Sequence, residues 1–256
     1  MIEENKKIIF SDLIINDQAF EIQNDFKYPW QWVNDINHFF EKVSSSNYKQ
    51  PNVIIDESKG PVFISKSSII EPFTILNGPL FIGDNTIIKS HSNISNSIIN
   101  HDCKIKGEVH SSIFQPYSNK SHEGFIGHSF VGSWVNLGAG TTTSNLKNNY
   151  EEILVKWNGS LLSTGTIFFG SVIGDHTKTA IGTNLNSGSI IEMGSNIVSQ
   201  TFPPRYIPAF SFYYKNKLSK ISFDDFRTTA SIAMKRRKIE LSSSDIKAMK
   251  ELYEKD

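Results

Sequence analysis

One aliphatic residue recurs at about every sixth position through the middle of the chain, and glycine often follows it. The series comprises Ile64, Ile70, Leu76, Ile82, Ile88, Ile94, Ile99 and Ile105, then Ile126, Val131 and Leu137, and finally Ile173, Thr179, Leu185, Ile191 and Ile197. At ~3.6 residues per turn, a step of six would point successive side chains toward different sides of a helix. The density of Gly and Asn also disfavours a helix. A fixed period of this kind indicates an internal repeat.

A triangular coil satisfies this spacing. Each six-residue rung is a short strand followed by a corner, and the aliphatic side chain points into the coil. Gly, Asn or Asp turns the corner, as in Gly83-Asp84-Asn85, because these residues adopt unusual backbone angles at little cost. Stacked coils hydrogen-bond to one another at a spacing of ~4.8 Å. We therefore predict a mainly β chain built as a parallel β-helix; a β-sandwich, whose turns are less regularly spaced, is the alternative.

The pattern divides the chain into three parts. Residues 51–206 are predicted to form the β-helix, with loops at 107–121 and 144–165, where the six-residue period is lost. Residues 1–50 form a small α/β flank, either a remnant or a cap over the open end of the coil. Residues 207–256 form a helical tail. Loops that interrupt a rigid solenoid are natural places for function.

Capping signals predict two helices in the tail. Ser222 is followed by Asp225, and Ser242 by Asp245, which is the spacing of a residue that caps the start of a helix. The basic run 235–238 suits the carbonyl end of the first helix. A phosphate or polyanion patch is the alternative interpretation of that run.

Composition narrows the possible functions. The 26 Lys and Arg residues balance the 26 Asp and Glu residues, so the chain lacks the broad positive field of a non-specific nucleic-acid binder. No apolar run suits a membrane span, and the first residues lack a signal-peptide pattern, so we expect a cytoplasmic protein without a membrane partner. A single cysteine, Cys103, excludes an internal disulfide. One inward side chain per rung also accounts for a hydrophobic content of only 38%.

Four segments resemble a known family. Residues 118–129 are SNKSHEGFIGHS and residues 134–148 are WVNLGAGTTTSNLKN; 174–179 and 202–208 match as well. Together they resemble the C-terminal half of sugar nucleotidyltransferases, which are similar to the bifunctional N-acetylglucosamine-1-phosphate uridyltransferase/glucosamine-1-phosphate acetyltransferase. The resemblance covers roughly 25–215. It implies a left-handed β-helix of hexapeptide-repeat acyltransferase type, acetyl-CoA as acyl donor, a homotrimer and no metal.

The resemblance also implies roles for single residues. His122 matches the catalytic base, and imidazole chemistry suits the removal of a proton from an amine at neutral pH. Asn136 and Asn145 match positions that contact the sugar or orient groups around it. Lys120, two residues before the base, is expected to meet a sugar phosphate.

Two further positions are assigned to coenzyme A. Ala139 matches a position where backbone atoms meet the coenzyme, and Arg205 is expected to meet its phosphates. Three positions depart from the family: it has Tyr at Phe125, Lys at His110 and Arg near Ser92. The side chains that would bind a substrate phosphate therefore differ from those of the family.

Two functions remain open. The first is an acetyl-CoA-dependent acyltransferase acting on an amino sugar, a sugar phosphate or a nucleotide sugar. The roughly 50 residues before the coil hold no Gly-rich nucleotide loop, so no nucleotidyltransferase domain is expected. The second is a non-catalytic trimeric module that scaffolds or regulates a separate nucleotidyltransferase as its partner. Binding of coenzyme A discriminates between them.

A zinc site at His122, His128 and His176 has no known ligand spacing in its favour.

Overall fold

A stack of short parallel strands dominates the computed structural model, which describes residues 27–41 and 43–255. The first 26 residues of the predicted flank lie outside this range. The helices are α1 (Pro29–Asn34), a 3-10 helix (Ile36–Phe40), α2 (Phe223–Lys235) and α3 (Ser243–Lys255). The strands are β1 (Val53–Asp56), β2 (Val62–Ile64), β3 (Ile69–Ile70), β4 (Thr74–Ile82), β5 (Ile87–Ile88), β6 (Asn93–Ile99), β7 (Lys104–Ile105), β8 (Glu108–His110), β9 (Ile113–Phe114), β10 (Asn119–Lys120), β11 (Phe125–Gly127), β12 (Phe130–Val131), β13 (Asn136–Leu137), β14 (Thr142–Thr143), β15 (Leu154–Trp157), β16 (Ser160–Ser163), β17 (Ser171–Ile173), β18 (Lys178–Thr179), β19 (Asn184–Leu185), β20 (Ser189–Ile191), β21 (Asn196–Val198), β22 (Tyr206–Ile207), β23 (Ser211–Tyr214) and β24 (Lys217–Lys220).

The strands form three faces of a coil. Face A is the parallel ladder β9-β12-β17-β20-β22, and face B is the parallel ladder β7-β10-β13-β18-β21. Face C contains β8, β11, β14 and β19. From β9 to β14 and from β17 to β22, consecutive strands along the chain belong to different faces, and each pairs with a strand one coil away. The predicted parallel β-helix of hexapeptide repeats is confirmed.

The interior is a column of single side chains. Every aliphatic residue of the six-residue series is no more than 2% exposed, and Thr179 is 6% exposed. Because one side chain per rung fills the interior, the core needs few apolar residues. Each strand residue beside an inward one points out, so the three faces carry the side chains available for chemistry.

The prediction of a loop at 107–121 is wrong. These residues form β8, β9 and β10, and each of those strands pairs with a strand of the coil before it. The inward side chains are Val109, Phe114 and Lys120, at steps of four, five and six after Ile105. Two shortened rungs and a lysine at an inward position hid the repeat from the sequence pattern.

Residues 144–165 do leave the coil. Asn136 pairs with Lys178, 42 positions later, whereas Asn196 pairs with Lys178 over only 18 positions. Between Asn136 and Lys178, β15 and β16 form an antiparallel hairpin. The coil resumes in register after this insertion, so the hairpin is an addition to the side of the coil.

The hairpin and the described part of the N-terminal flank cover face A. Trp30 of α1 packs edge-on against Trp157 of the hairpin, with ring centroids 5.2 Å apart. Phe130, an outward residue of face A, belongs to the same buried cluster. The Asn34 amide donates to the carbonyl of Thr164 at 2.8 Å. Thus α1 lies against a side of the coil, while Tyr48 packs against the interior column.

The tail extends the stack before it becomes helical. β23, beyond the predicted end of the coil at residue 206, pairs in parallel with β21. Both predicted caps are present: the N–H of Asp225 donates to Ser222 Oγ at 3.2 Å, and that of Asp245 to Ser242 Oγ at 3.1 Å. Among the described residues, no helix combines the length and the apolar character needed to cross a bilayer.

Trp157→Ala should lower the free energy of unfolding by about 3–5 kcal/mol, because it opens a cavity between α1, the hairpin and face A. Leu161→Ala, on the same hairpin but 70% exposed in the wild type, is the matched control and should change it by less than about 0.5 kcal/mol. Urea unfolding measures both. Equal effects would contradict the packing of the hairpin on face A.

Candidate functional site

His122 occupies the corner between faces B and C. It lies between β10 and β11, and its side chain is exposed. Two contacts fix the backbone of this corner: Lys120 Nζ donates to the His122 carbonyl at 2.8 Å, and the N–H of Gly140 donates to the Glu123 carbonyl at 3.0 Å. The side chains of Lys106 and Glu123 add an ion pair at 3.0 Å. The imidazole is therefore presented to solvent from a rigid support.

Lys120 does not point toward a substrate. It takes the inward position of its rung and is 1% exposed, with Nζ bound to the carbonyls of Lys106 and His122 at 2.9 and 2.8 Å. Burial lowers the pKa of its amine to about 8. The prediction that Lys120 meets a sugar phosphate is corrected: this lysine holds the corner of His122 from inside the coil.

A cavity of about 550 Å³ lies beside His122 on face B. Asn136 and Ala139 line it together with His122, so the structure brings three of the predicted site residues to one place. The Ala139 carbonyl accepts from the N–H of Gly182 at 2.7 Å, which fixes the backbone there. Ile181, 78% exposed, lines the same cavity and gives it an apolar part.

Polar side chains from successive rungs line this cavity. Lys104, Asn119, Asn136 and Lys178 are register partners on β7, β10, β13 and β18, and all four line it. Neighbouring rungs lie ~4.8 Å apart, so the residues form a regular column. Burial lowers the pKa of Lys178 to about 8, and its Nζ donates to the His176 carbonyl at 3.0 Å.

Two arginines from the tail complete the cavity. Arg236 and Arg237 follow the last residue of α2 and line the cavity. The Arg237 guanidinium donates to Asn119 Oδ1 at 3.0 Å. Its charge is the largest cause of a lowered pKa at Lys104, ahead of burial. The cavity is therefore strongly positive beside the imidazole.

Sequence reasoning missed most of these cations. Lys104 and Lys178 each precede an inward residue, as Asn136 does, so the six-residue register alone could have placed all three on one face. A phosphate patch is one of the two interpretations of the basic run 235–238. Its position on face B depends on the direction of α2, which no local signal gives.

Asn145 lies away from the cavity, beside face C. Its amide nitrogen lies 2.9 Å from His128 Nδ1, and the ring of Phe125 is close by, since both side chains crowd the α-carbon of Gly127. Burial lowers the pKa of His128 to about 4, so this imidazole is neutral near pH 7. Within one chain, Asn145 and His122 thus belong to different surfaces.

Arg205 is also outside the cavity. Its side chain is exposed, and its carbonyl accepts from the N–H of Ile190 at 2.6 Å just before β22. Within one chain it does not lie with His122. Among the described residues, no group of three or more His, Cys, Asp or Glu side chains could hold a metal ion.

Comparison with known proteins places this geometry in context. No family model matches the chain. It is 28% identical over 233 residues to the bifunctional protein GlmU of Methanococcus vannielii, covering 82% of this chain and 51% of the relative. It is 33% identical over 81 residues to a bifunctional sugar-1-phosphate nucleotidylyltransferase/acetyltransferase of Sulfurisphaera tokodaii, covering 32% of this chain and 20% of the relative. The resemblance inferred from the motifs is confirmed.

The extent of the match is limited. The chain spans about half the length of the GlmU relatives, including that of Methanococcus maripaludis, of which it covers 47% at 28% identity. Similar solved structures include the polySia specific acetyltransferase NeuO, with a TM-score of 0.48 and 13% identity over 73% of this chain and 99% of that one. The UDP-N-acetylglucosamine acyltransferase of Francisella novicida gives a TM-score of 0.30 and 15% identity over 80% of this chain and 78% of that one.

Lys120→Met should change how stability depends on pH. The pKa of Lys120 is lowered on folding from its ordinary value of 10.5 to about 8. Between these values the unfolded chain binds a proton that the folded chain has released, so this group makes the wild type more stable as pH rises. Below about pH 8 the amine is protonated in both states, and its contribution is constant.

The wild-type minus Lys120→Met difference in unfolding free energy should therefore increase by up to about 1.4 kcal/mol per pH unit above about pH 8. Urea unfolding at several pH values between 7 and 10 measures it. Other titrating groups are common to both chains and cancel in the difference. Parallel stability curves would contradict an interior Lys120.

Proposed function

We propose that this chain is an acyltransferase that moves an acyl group, acetyl in the first instance, from coenzyme A to a sugar acceptor. The acceptor is an amino sugar, a sugar phosphate or a nucleotide sugar. One observation carries the proposal: the exposed imidazole of His122 lines a 550 Å³ cavity with Asn136, Ala139 and several cations. The sequence similarity to bifunctional sugar nucleotidyltransferase/acetyltransferases supports it.

His122 is the base of the proposed reaction. As the acceptor nitrogen bonds to the thioester carbonyl carbon, the imidazole accepts a proton from that nitrogen. The carbon–sulfur bond then breaks, and the sulfur leaves as a thiolate that takes up a proton to give free coenzyme A. The rigid corner holds the imidazole in place, so little orientational freedom is lost when reactants bind.

The other cavity residues orient the reactants. Asn136 offers an amide donor and acceptor to neutral sugar hydroxyls or to the acyl oxygen. Ala139 has a small side chain beside fixed backbone, which lets the pantetheine arm lie close to the coil. The exposed Ile181 provides apolar contact for the same arm.

We further propose that the working site is shared between subunits of a homotrimer. The cavity on face B holds His122, whereas Asn145 and Phe125 lie on face C of the same chain. If face C of one subunit packs near face B of the next, the two sets meet. Face A is already covered by α1 and the hairpin, which leaves faces B and C for this contact.

His122→Ala should lower kcat by about 10²–10⁴-fold, because the base acts mainly in the transition state. Coenzyme A affinity and melting temperature should be nearly unchanged, since the side chain is exposed and the corner is fixed by backbone contacts. A thiol-release assay with acetyl-CoA and a panel of amino sugars measures the rate.

His128→Ala is the control for that experiment. This half-buried imidazole contacts Asn145 and Phe168, so its loss should lower the melting temperature and leave kcat close to the wild-type value. Full acyl transfer by His122→Ala would exclude the base assignment. Wild-type protein that neither binds coenzyme A nor acylates any amino sugar would instead support the scaffold function.

Mixing two inactive variants tests the shared site. His122→Ala and Asn145→Ala subunits co-expressed in equal amounts should recover up to about a quarter of wild-type activity, because some interfaces then join an intact His122 to an intact Asn145. Light scattering should give about three times the 28.9 kDa chain mass. A monomer, or no recovery on mixing, would contradict the shared site.

A further inference from the structure

Helix α2 folds back along the coil and carries its basic end to the cavity. Phe226, in its first turn, packs edge-on against Phe210 at 4.9 Å and His176 at 5.8 Å. Buried Ala230 and Met234 continue the same side of the helix at four-residue steps. Its 13 residues span about 20 Å, which matches about four rung spacings. The chain thus leaves the end of the coil and returns to the rung of Asn119.

The basic end is held in place at that rung. The Arg237 guanidinium donates to Asn119 Oδ1 at 3.0 Å, and Asn119 is the register partner of both Lys104 and Asn136. A guanidinium has five N–H donors, so this single bond leaves most of them for another acceptor. Basic residues that merely favour the carbonyl end of a helix would not need such a contact with the coil.

The positive charges in this cavity are not neutralised by the protein around it. Among the described residues, no carboxylate lines the cavity, and no carboxylate forms a salt bridge with Lys104, Arg236 or Arg237. Asp102 lies near Tyr117, as Arg237 does, and its carboxylate oxygen lies 2.9 Å from His101 Nδ1. The lowered pKa of Lys104 reflects this unrelieved repulsion. Like charges held together in a cavity favour an anionic ligand.

We propose that Lys104, Arg236 and Arg237 form a phosphate-binding site, with α2 supplying the two arginines. The ligand is a phosphate or diphosphate group carried by a reactant of the proposed acyl transfer, and in this respect the inference rests on the proposed function. Two reactants carry such a group: a phosphorylated sugar acceptor and coenzyme A. Arginine forks suit phosphate oxygens, and charge-assisted bonds of this kind are strong.

Inorganic pyrophosphate is the direct probe. Calorimetric titration of the full chain should show binding that Arg237→Gln and Arg236→Gln each weaken by about tenfold or more. Lys235→Gln and Lys238→Gln remove charges from the same exposed run outside the cavity lining, and they should weaken binding by less than about threefold. Equal losses in all four variants would reduce the site to a non-specific charge effect and overturn the proposal. Retained binding in Arg237→Gln would do the same.

Matched ligand pairs identify the reactant. If Arg237→Gln weakens the binding of coenzyme A but not that of pantetheine, the site holds the phosphates of the donor. If it weakens the binding of glucosamine 1-phosphate but not that of glucosamine, the site holds the phosphate of the acceptor. If neither pair is affected, the assignment to a reactant is wrong. Pyrophosphate binding without any acyl transfer would leave the anion site standing and the proposed function refuted, so the two failures are distinguishable.

Discussion

The structure depends on the stacking of one inward side chain per rung, with parallel hydrogen bonds joining each rung to the next. This constraint fixes the outward residues as well, because they alternate with the inward ones. Lys104, Asn119, Asn136 and Lys178 form a column for this reason and no other. A flat coil surface of this kind has no depth of its own. The cavity exists because the C-terminal end of α2 lies beside face B, where Ala233, Arg236 and Arg237 supply a second wall.

Most of the coil was predictable because its interior is so uniform. Aliphatic residues at six-residue steps are buried throughout, from Ile64 to Ile197. The pattern failed at 107–121, where the rungs shorten and Lys120 replaces an aliphatic residue. A lysine is tolerated inside because two backbone carbonyls accept from its amine. Sequence periodicity has no means of distinguishing such an interior lysine from a surface one.

The candidate site was predictable only in part. Motif resemblance grouped His122, Asn136 and Ala139, which do share a cavity, since they lie within 18 consecutive residues of one region of the coil. Arg236 and Arg237 were identified as a basic run without a location, because the return path of α2 is set by tertiary packing at Phe226. Two of the cations that line the cavity, Arg236 and Arg237, come from the tail.

The pairing of α1 with the hairpin has a consequence for the order of folding. Asn34 and Thr164 are 130 positions apart, yet their hydrogen bond closes the cover over face A. Apart from the strands on either side of the hairpin insertion, which pair across 42 positions, the coils form through contacts between residues about twenty positions apart or fewer, and such local contacts assemble quickly. The cover formed by α1 and the hairpin can assemble only after the hairpin has been synthesised. Face A, with Phe130 and Val172 pointing outward, is thus an exposed apolar surface during synthesis, and α1 acts late, as the element that ends this aggregation-prone interval.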